Sequence, residues 1–118
     1  MQSANLCPYR GGKMIIVEYN PKNLGLKVTG HAGKAKKGED IVCAAASMVV
    51  MMFLNALAIY DVPHQSVTDE GFAEIQIDDS TYKSRLLFNY TVSGLALLAD
   101  HEKKHVKVRK NEELFEHN

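Results

Sequence analysis

Residues 41–60 limit what this chain can become more than any other stretch. In these twenty positions only Ser47 and Asn55 are polar, apart from Cys43 and the closing Tyr60. The run meets the requirement of about 20 apolar residues for crossing a bilayer. In a water-soluble fold it makes a different demand, because a helix apolar all round has to be covered on every side. The flanking patterns favour the second reading. Residues 14–19 are apolar and β-branched, Asn20-Pro21-Lys22-Asn23 has turn chemistry, and Leu24, Leu26 and Val28 then alternate with Gly25, Lys27 and Thr29. That is a β-hairpin over residues 14–30. Beyond the run, Ala73, Ile75 and Ile77 alternate with Phe72, Glu74 and Gln76. A helix with strands on both sides is a core helix. One face is expected on a sheet, with Ala44, Ala45 and Ala46 allowing close approach, and the other against a second helix or a partner subunit. A homodimer is therefore expected, and no membrane contact.

Asp78-Asp79-Ser80 reads as a helix start, and Tyr82, Leu86, Tyr90 and Leu97 follow at helical spacing, so a second helix is predicted to about residue 104. Val106 and Val108 then alternate with Lys107 and Arg109 in a last strand. The predicted fold is α+β: a two-layer ββαβαβ domain with a central apolar helix packed on a sheet. A chain of 118 residues is the size of one domain, placed at residues 14–110. Residues 1–13 are expected to be a disordered or appended extension, and residues 111–118 a frayed polar tail. Lys and Arg (14) balance Asp and Glu (14), so no bulk attraction to DNA or membrane is expected. The five basic residues within 103–110 are a local exception. Two cysteines, Cys7 and Cys43, make no disulfide framework. Residues 1–13 lack the apolar core of a signal peptide. A cytoplasmic protein without a cofactor is expected.

The chemistry concentrates in Gly30-His31-Ala32-Gly33 and Gly38-Glu39-Asp40-Ile41-Val42-Cys43-Ala44-Ala45-Ala46-Ser47. Asp40 is a good N-cap, which would put Cys43 in the first helical turn. A sulfur there lies near unbonded backbone N–H groups and the positive end of the helix dipole, which favour thiolate, the nucleophilic form. His31 stands where the second strand ends and a loop rich in Gly and Lys begins. If that strand lies beside the helix start, His31 can reach Cys43 and act as base and then acid. Asp40 would cap the helix, orient His31, or both, and Ser47 faces the same way as Cys43 one turn on. Against this stand blander readings: most helical cysteines are small core hydrophobes, and most loop histidines are solvated.

The same segment closely resembles the signature of the ribosomal-processing cysteine proteases called Prp. The order of elements agrees over residues 14–110, although only this segment is specific. The resemblance implies that His31 and Cys43 are a catalytic dyad and that Asp40, Ser47 and the loop glycines Gly30, Gly33 and Gly38 support it. It implies an enzyme of bacteria of the Firmicutes type that removes a short N-terminal extension from a large-subunit ribosomal protein, cutting after a hydrophobic, Phe-containing sequence. It also implies a dimer with a mobile loop over the site. This chain departs from the pattern at Ala46, where Val is common, at Lys34, where a bulkier residue is often seen, and in residues 1–13. Those departures bear on the substrate, since prophage-type relatives process phage structural proteins.

Two other motifs compete. His101-Glu102-Lys103-Lys104-His105 is a literal HExxH, which on a helix would offer two zinc ligands and a general base. A third ligand would have to come from Glu112, Glu113 or His117, and a solvated helix end explains the same residues, so no metal is assigned. Gly30-His31-Ala32-Gly33 fits the GxxG loop that clamps RNA phosphates in KH domains. That loop joins two helices, whereas this one leaves a strand. With the neighbouring lysines it keeps a non-enzymatic RNA- or ribosome-binding module as the alternative.

Overall fold

The computed structural model describes residues 14–30, 37–69 and 71–116, with backbone only at 37–40. The elements run β1 (Ile15–Asn20), β2 (Gly25–Thr29), α1 (Lys37–Ile59), β3 (His64–Asp69), β4 (Phe72–Ile77), α2 (Tyr82–His101) and β5 (Val106–Lys110). They build one five-stranded sheet in the order β3-β4-β2-β1-β5. All neighbours are antiparallel except β1 and β5, which pair in parallel from Ile15↔Val106 to Tyr19↔Lys110. The pairings make β2 parallel to β3 and β4 parallel to β5. Parallel strands need a crossover rather than a hairpin, and α1 and α2 each supply one.

The α+β class, the hairpin and the central helix agree with the sequence. The order ββαβαβ does not, because β3 is an additional strand. It was illegible because its residues, His-Gln-Ser-Val-Thr-Asp, lie at the sheet edge with all but His64 exposed. Neither face of β3 is buried enough to impose alternation.

Helix α1 holds the layers together. Val42, Ala46, Val50, Phe53 and Leu57 form a buried stripe at helical spacing and join Val17, Leu26, Val28, Ala73 and Ile75 of the sheet in one core. Of the three alanines expected against the sheet only Ala46 is buried; Ala44 is exposed and Ala45 intermediate. One helical turn cannot aim three successive side chains at the same surface. Phe53 meets Phe88 of α2 edge to face, centroids 6.4 Å apart, the arrangement that aromatic quadrupoles favour.

Helix α2 starts later than predicted. Thr81 is its N-cap, and a reciprocal box closes the end: the Ser84 N–H donates to Thr81 Oγ1 (3.1 Å), and the Thr81 N–H to Ser84 Oγ (2.7 Å). Ser84, Phe88, Thr91 and Leu95 face inward. Tyr82, Leu86, Tyr90 and Leu97, the stripe read from the sequence, are all exposed. The periodicity was real, but it marks the outer face.

The tail is docked rather than frayed through residue 116. The Asn111 N–H donates to the Tyr19 carbonyl at 2.8 Å. The Leu114 carbonyl accepts from Asn20 Nδ2 (3.0 Å) and Asn23 Nδ2 (2.9 Å). Asn20 is fully buried, and its Oδ1 also accepts from the Lys22 N–H at 2.9 Å. Phe115 lies over Gly25, where an added Cβ would stand 2.5 Å from the ring. Asn20→Ala removes one of the two amide donors to the Leu114 carbonyl and leaves the hairpin turn short of an acceptor. It is expected to cost about 1–3 kcal/mol in urea unfolding and to expose the tail to carboxypeptidase. Unchanged stability and unchanged digestion would contradict the docking role.

Candidate active site

The predicted site falls on two elements, the end of β2 and the start of α1. Strand β2 ends at Thr29 and is followed by Gly30 with φ +86°. The Gly30 N–H donates to the Gly71 carbonyl at 2.9 Å, and Gly71 is itself at φ +85°. A Cβ on Gly30 would collide with the carbonyl oxygen of Met14. Glycine is thus required twice over, for its backbone angle and for lack of room, and it fixes the direction in which the chain leaves toward position 31. Gly71 was not foreseen as part of this support, because its contribution is a main-chain carbonyl, which no side-chain pattern announces.

Of the predicted site residues, His31 and Gly33 lie outside the described residues, as does Cys7. Gly38 and Asp40 are described in backbone only, within α1. The helix begins at Lys37, so Asp40 is inside it and is not the N-cap. Cys43 is accordingly the seventh helical residue, in the second turn. It lies past the unbonded N–H groups of the helix start, so the first-turn argument for thiolate does not apply. Cys43 is 7% exposed and borders the core beside Val42 and Ala46. Ser47 follows it by one turn on the same side and is partly buried. A thiol in this position fits an inert core residue as well as a sheltered nucleophile, and burial alone does not separate them.

The HExxH stretch loses its basis. Helix α2 ends at His101, Glu102 is its C-cap, and a turn carries the chain through His105, whose N–H donates to the Glu102 carbonyl at 2.9 Å. The two histidines therefore do not share a helical face. Among the described residues no three His, Cys, Asp or Glu side chains gather where a metal ion would fit. The basic run is also largely offset in place. Lys103 faces Asp100 (3.9 Å), Arg109 faces Glu18 (3.5 Å) and Lys110 faces Glu112 (3.9 Å). Exposed pairs of this kind add little stability, but they dilute the positive field that phosphate binding would need.

The family model of the cysteine protease Prp matches residues 13–107. The chain belongs to that family. It is a cysteine protease. No curated protein matches it. Among solved structures, SMU.848 from Streptococcus mutans is 30% identical, with a TM-score of 0.72 over 83% of this chain and 97% of that one. The ribosomal processing protease Prp from Staphylococcus aureus, solved with a substrate peptide, is 19% identical with a TM-score of 0.71, over 83% and 98% of the two chains. A second structure of that protease carries a covalently linked product peptide (20% identity, TM-score 0.71). At those identities the likeness to the S. aureus enzyme establishes the fold. The family model reaches beyond fold to chemistry, and the docked tail of this chain lies past its end.

Gly30→Ala forces a side chain into the left-handed region and against Met14. A cost of roughly 1–3 kcal/mol is expected, read as a lower urea midpoint with an unchanged slope. A variant as stable as wild type would show that the β2 end is less constrained than its geometry implies.

Proposed function

We propose that this protease is an endopeptidase of the bacterial cytoplasm that removes a short N-terminal extension from a large-subunit ribosomal protein. Cys43 attacks the scissile carbonyl, and His31 takes the thiol proton and returns it to the leaving amine. What carries the reading is Cys43 itself, a thiol fixed by a core helix inside the segment that the family model matches. The rigid end of β2, locked by Gly30 and Gly71, supplies the second anchor. His31 is the next residue along, so this strand end sets where its backbone begins. Ser47 and Asp40 are assigned supporting roles on α1, and Gly33 and Gly38 to the connection between the two anchors. The ribosomal substrate is carried over from the protease of S. aureus, whose described role is ribosomal processing.

The test is incubation with the full ribosomal precursor, read by intact mass. Wild type should release the extension, whereas Cys43→Ala and His31→Ala should each lose at least about 10³-fold in kcat. An intact precursor, with Cys43 alkylating faster than Cys7, would move the substrate to a phage structural protein. Equal, slow alkylation of both thiols would argue against a nucleophilic Cys43.

We also propose that the protease works as a homodimer through the outer faces of α1 and α2. The apolar segment Ile41–Ile59 is only 33% buried within the protomer. Met48, Met52, Leu86, Tyr90 and Leu97 are exposed. Between the helices runs an apolar groove of about 440 Å³, lined by Val49, Met52, Leu87, Tyr90 and Leu97 among others. A continuous apolar surface of this kind marks an association site. Tyr90→Glu is expected to halve the mass seen in sedimentation while leaving the circular dichroism spectrum unchanged. A monomeric wild type would refute the assignment.

A further inference from the structure

The two edges of the sheet are defended unequally. Edge strands carry unpaired main-chain groups, and proteins usually blunt them with lysines, prolines or bulges. Strand β5 follows that rule with Lys107, Arg109 and Lys110. Strand β3 does not: it contains no Lys, Arg or Pro, and it pairs with β4 through six consecutive residues, His64↔Ile77 to Asp69↔Phe72, without a bulge.

Among the described residues, the main-chain groups that this edge leaves unbonded can be assigned. Antiparallel ladders alternate between bonded and non-bonded pairs. The Asp78 N–H donates to the Pro63 carbonyl at 2.9 Å, so Gln65, Val67 and Asp69 turn their main-chain groups toward β4. His64, Ser66 and Thr68 then point their N–H and C=O groups off the sheet, spaced to receive another strand.

The edge also leads to the site. Helix α1 runs away from the β2 end and returns through residues 60–63 to the start of β3, where the Val62 N–H donates to the Leu57 carbonyl at 2.9 Å. Cys43 lies sixteen residues before Ile59, about 24 Å back along the helix at about 1.5 Å per residue. The six residues of β3 run about 17 Å in the same direction. They end at Asp69, in the cross-sheet row Asp69, Phe72, Thr29 and Ile16, beside Gly30 and Gly71. On the face away from the helices, Gln65, Val67, Glu74, Gln76 and Phe115 line a groove of about 310 Å³. A strand laid along β3 would place alternate side chains over it, and Val67 and Phe115 suit an apolar one.

We propose that β3 is the substrate dock: the polypeptide to be cleaved adds as a sixth strand, bonding to His64, Ser66 and Thr68 and running past Asp69 toward Cys43. This rests on the peptidase reading and specifies how that site takes its substrate. Strand addition draws its affinity from the main chain and its specificity from alternate side chains, as an extended cleavable segment requires.

The test compares cleavage of the full ribosomal precursor by wild type, Ser66→Pro and Ser66→Ala. Proline removes an outward N–H at an edge position where it is tolerated, while alanine keeps it. Ser66→Pro should lower kcat/KM at least tenfold below Ser66→Ala, through KM, with Cys43 alkylated by iodoacetamide at the wild-type rate. Wild-type cleavage with an unaltered KM in Ser66→Pro would overturn the dock and leave the peptidase standing. No cleavage by wild type would overturn both. A change of oligomeric state in Ser66→Pro would overturn the dock by making β3 an interface between copies. If Ser66→Pro does not fold, single N-methylation along a peptide of the precursor's N-terminus decides with wild-type enzyme. Losses at every second position support strand addition, and losses without alternation overturn it.

Discussion

The stripe Val42, Ala46, Val50, Phe53 and Leu57 is the contact on which the rest of the molecule depends. It covers the inner face of the sheet, and each of its larger side chains is worth roughly 1.5–3 kcal/mol of burial. It also fixes the crossover that makes β2 and β3 parallel across β4. Phe53, one turn before its far end, carries α2 through its contact with Phe88. Cys43 adjoins the first residue of that stripe. The Cys43 thiol is therefore held by the core itself, and substitutions that loosen the core are expected to reach it.

Much of this was legible because burial on one face leaves a period. The hairpin and β4 are half-buried strands whose inward residues alternate, and β4 shows it most plainly, with Ala73, Ile75 and Ile77 buried. What failed to show were elements stabilised in other ways. Strand β3 is held by main-chain bonds at an edge and needs no apolar side chain. The tail is held by the Asn20 and Asn23 amides on one carbonyl, contacts about ninety residues apart that composition reports only as a polar tail. In α2 the inward positions include Ser84 and Thr91, whose hydroxyls are affordable at a helix start or a crowded crossing, while Tyr82, Leu86, Tyr90 and Leu97 face out. A period marks a face, and which way it points depends on the neighbours.

The site divides along the same line. Cys43 could be singled out from its segment, and Gly30 has a physical reason to be glycine that the sequence only hints at. The helix start was misplaced because Asp40 is a good capping residue in isolation. The chain instead continues the helix back to Lys37. A single favourable cap, worth about 1 kcal/mol, does not outweigh the further turn gained. Under the proposed mechanism, deprotonation of Cys43 then falls to the imidazole of His31 rather than to helix-end amides.

The proposed catalytic arrangement joins two anchors of different kinds. Cys43 sits on a helix whose position is set by many core contacts, so its sulfur is costly to displace. The proposed base, His31, follows Gly30 just past a strand end, where one backbone bond, Gly30 to Gly71, and one steric limit, Gly30 against Met14, hold the chain. Productive geometry in acyl transfer depends on keeping the nucleophile, base and scissile carbonyl within about 3–3.5 Å of one another. A rigid nucleophile reduces that problem to placing the base and the substrate. An added strand along β3 would place the substrate through the same sheet that carries the base, so both would share one frame with the helix packed on it. Rigidity at Cys43 and regularity at β3 are then two parts of one solution, because a peptide aligned by main-chain bonds is useful only if the group that attacks it does not move.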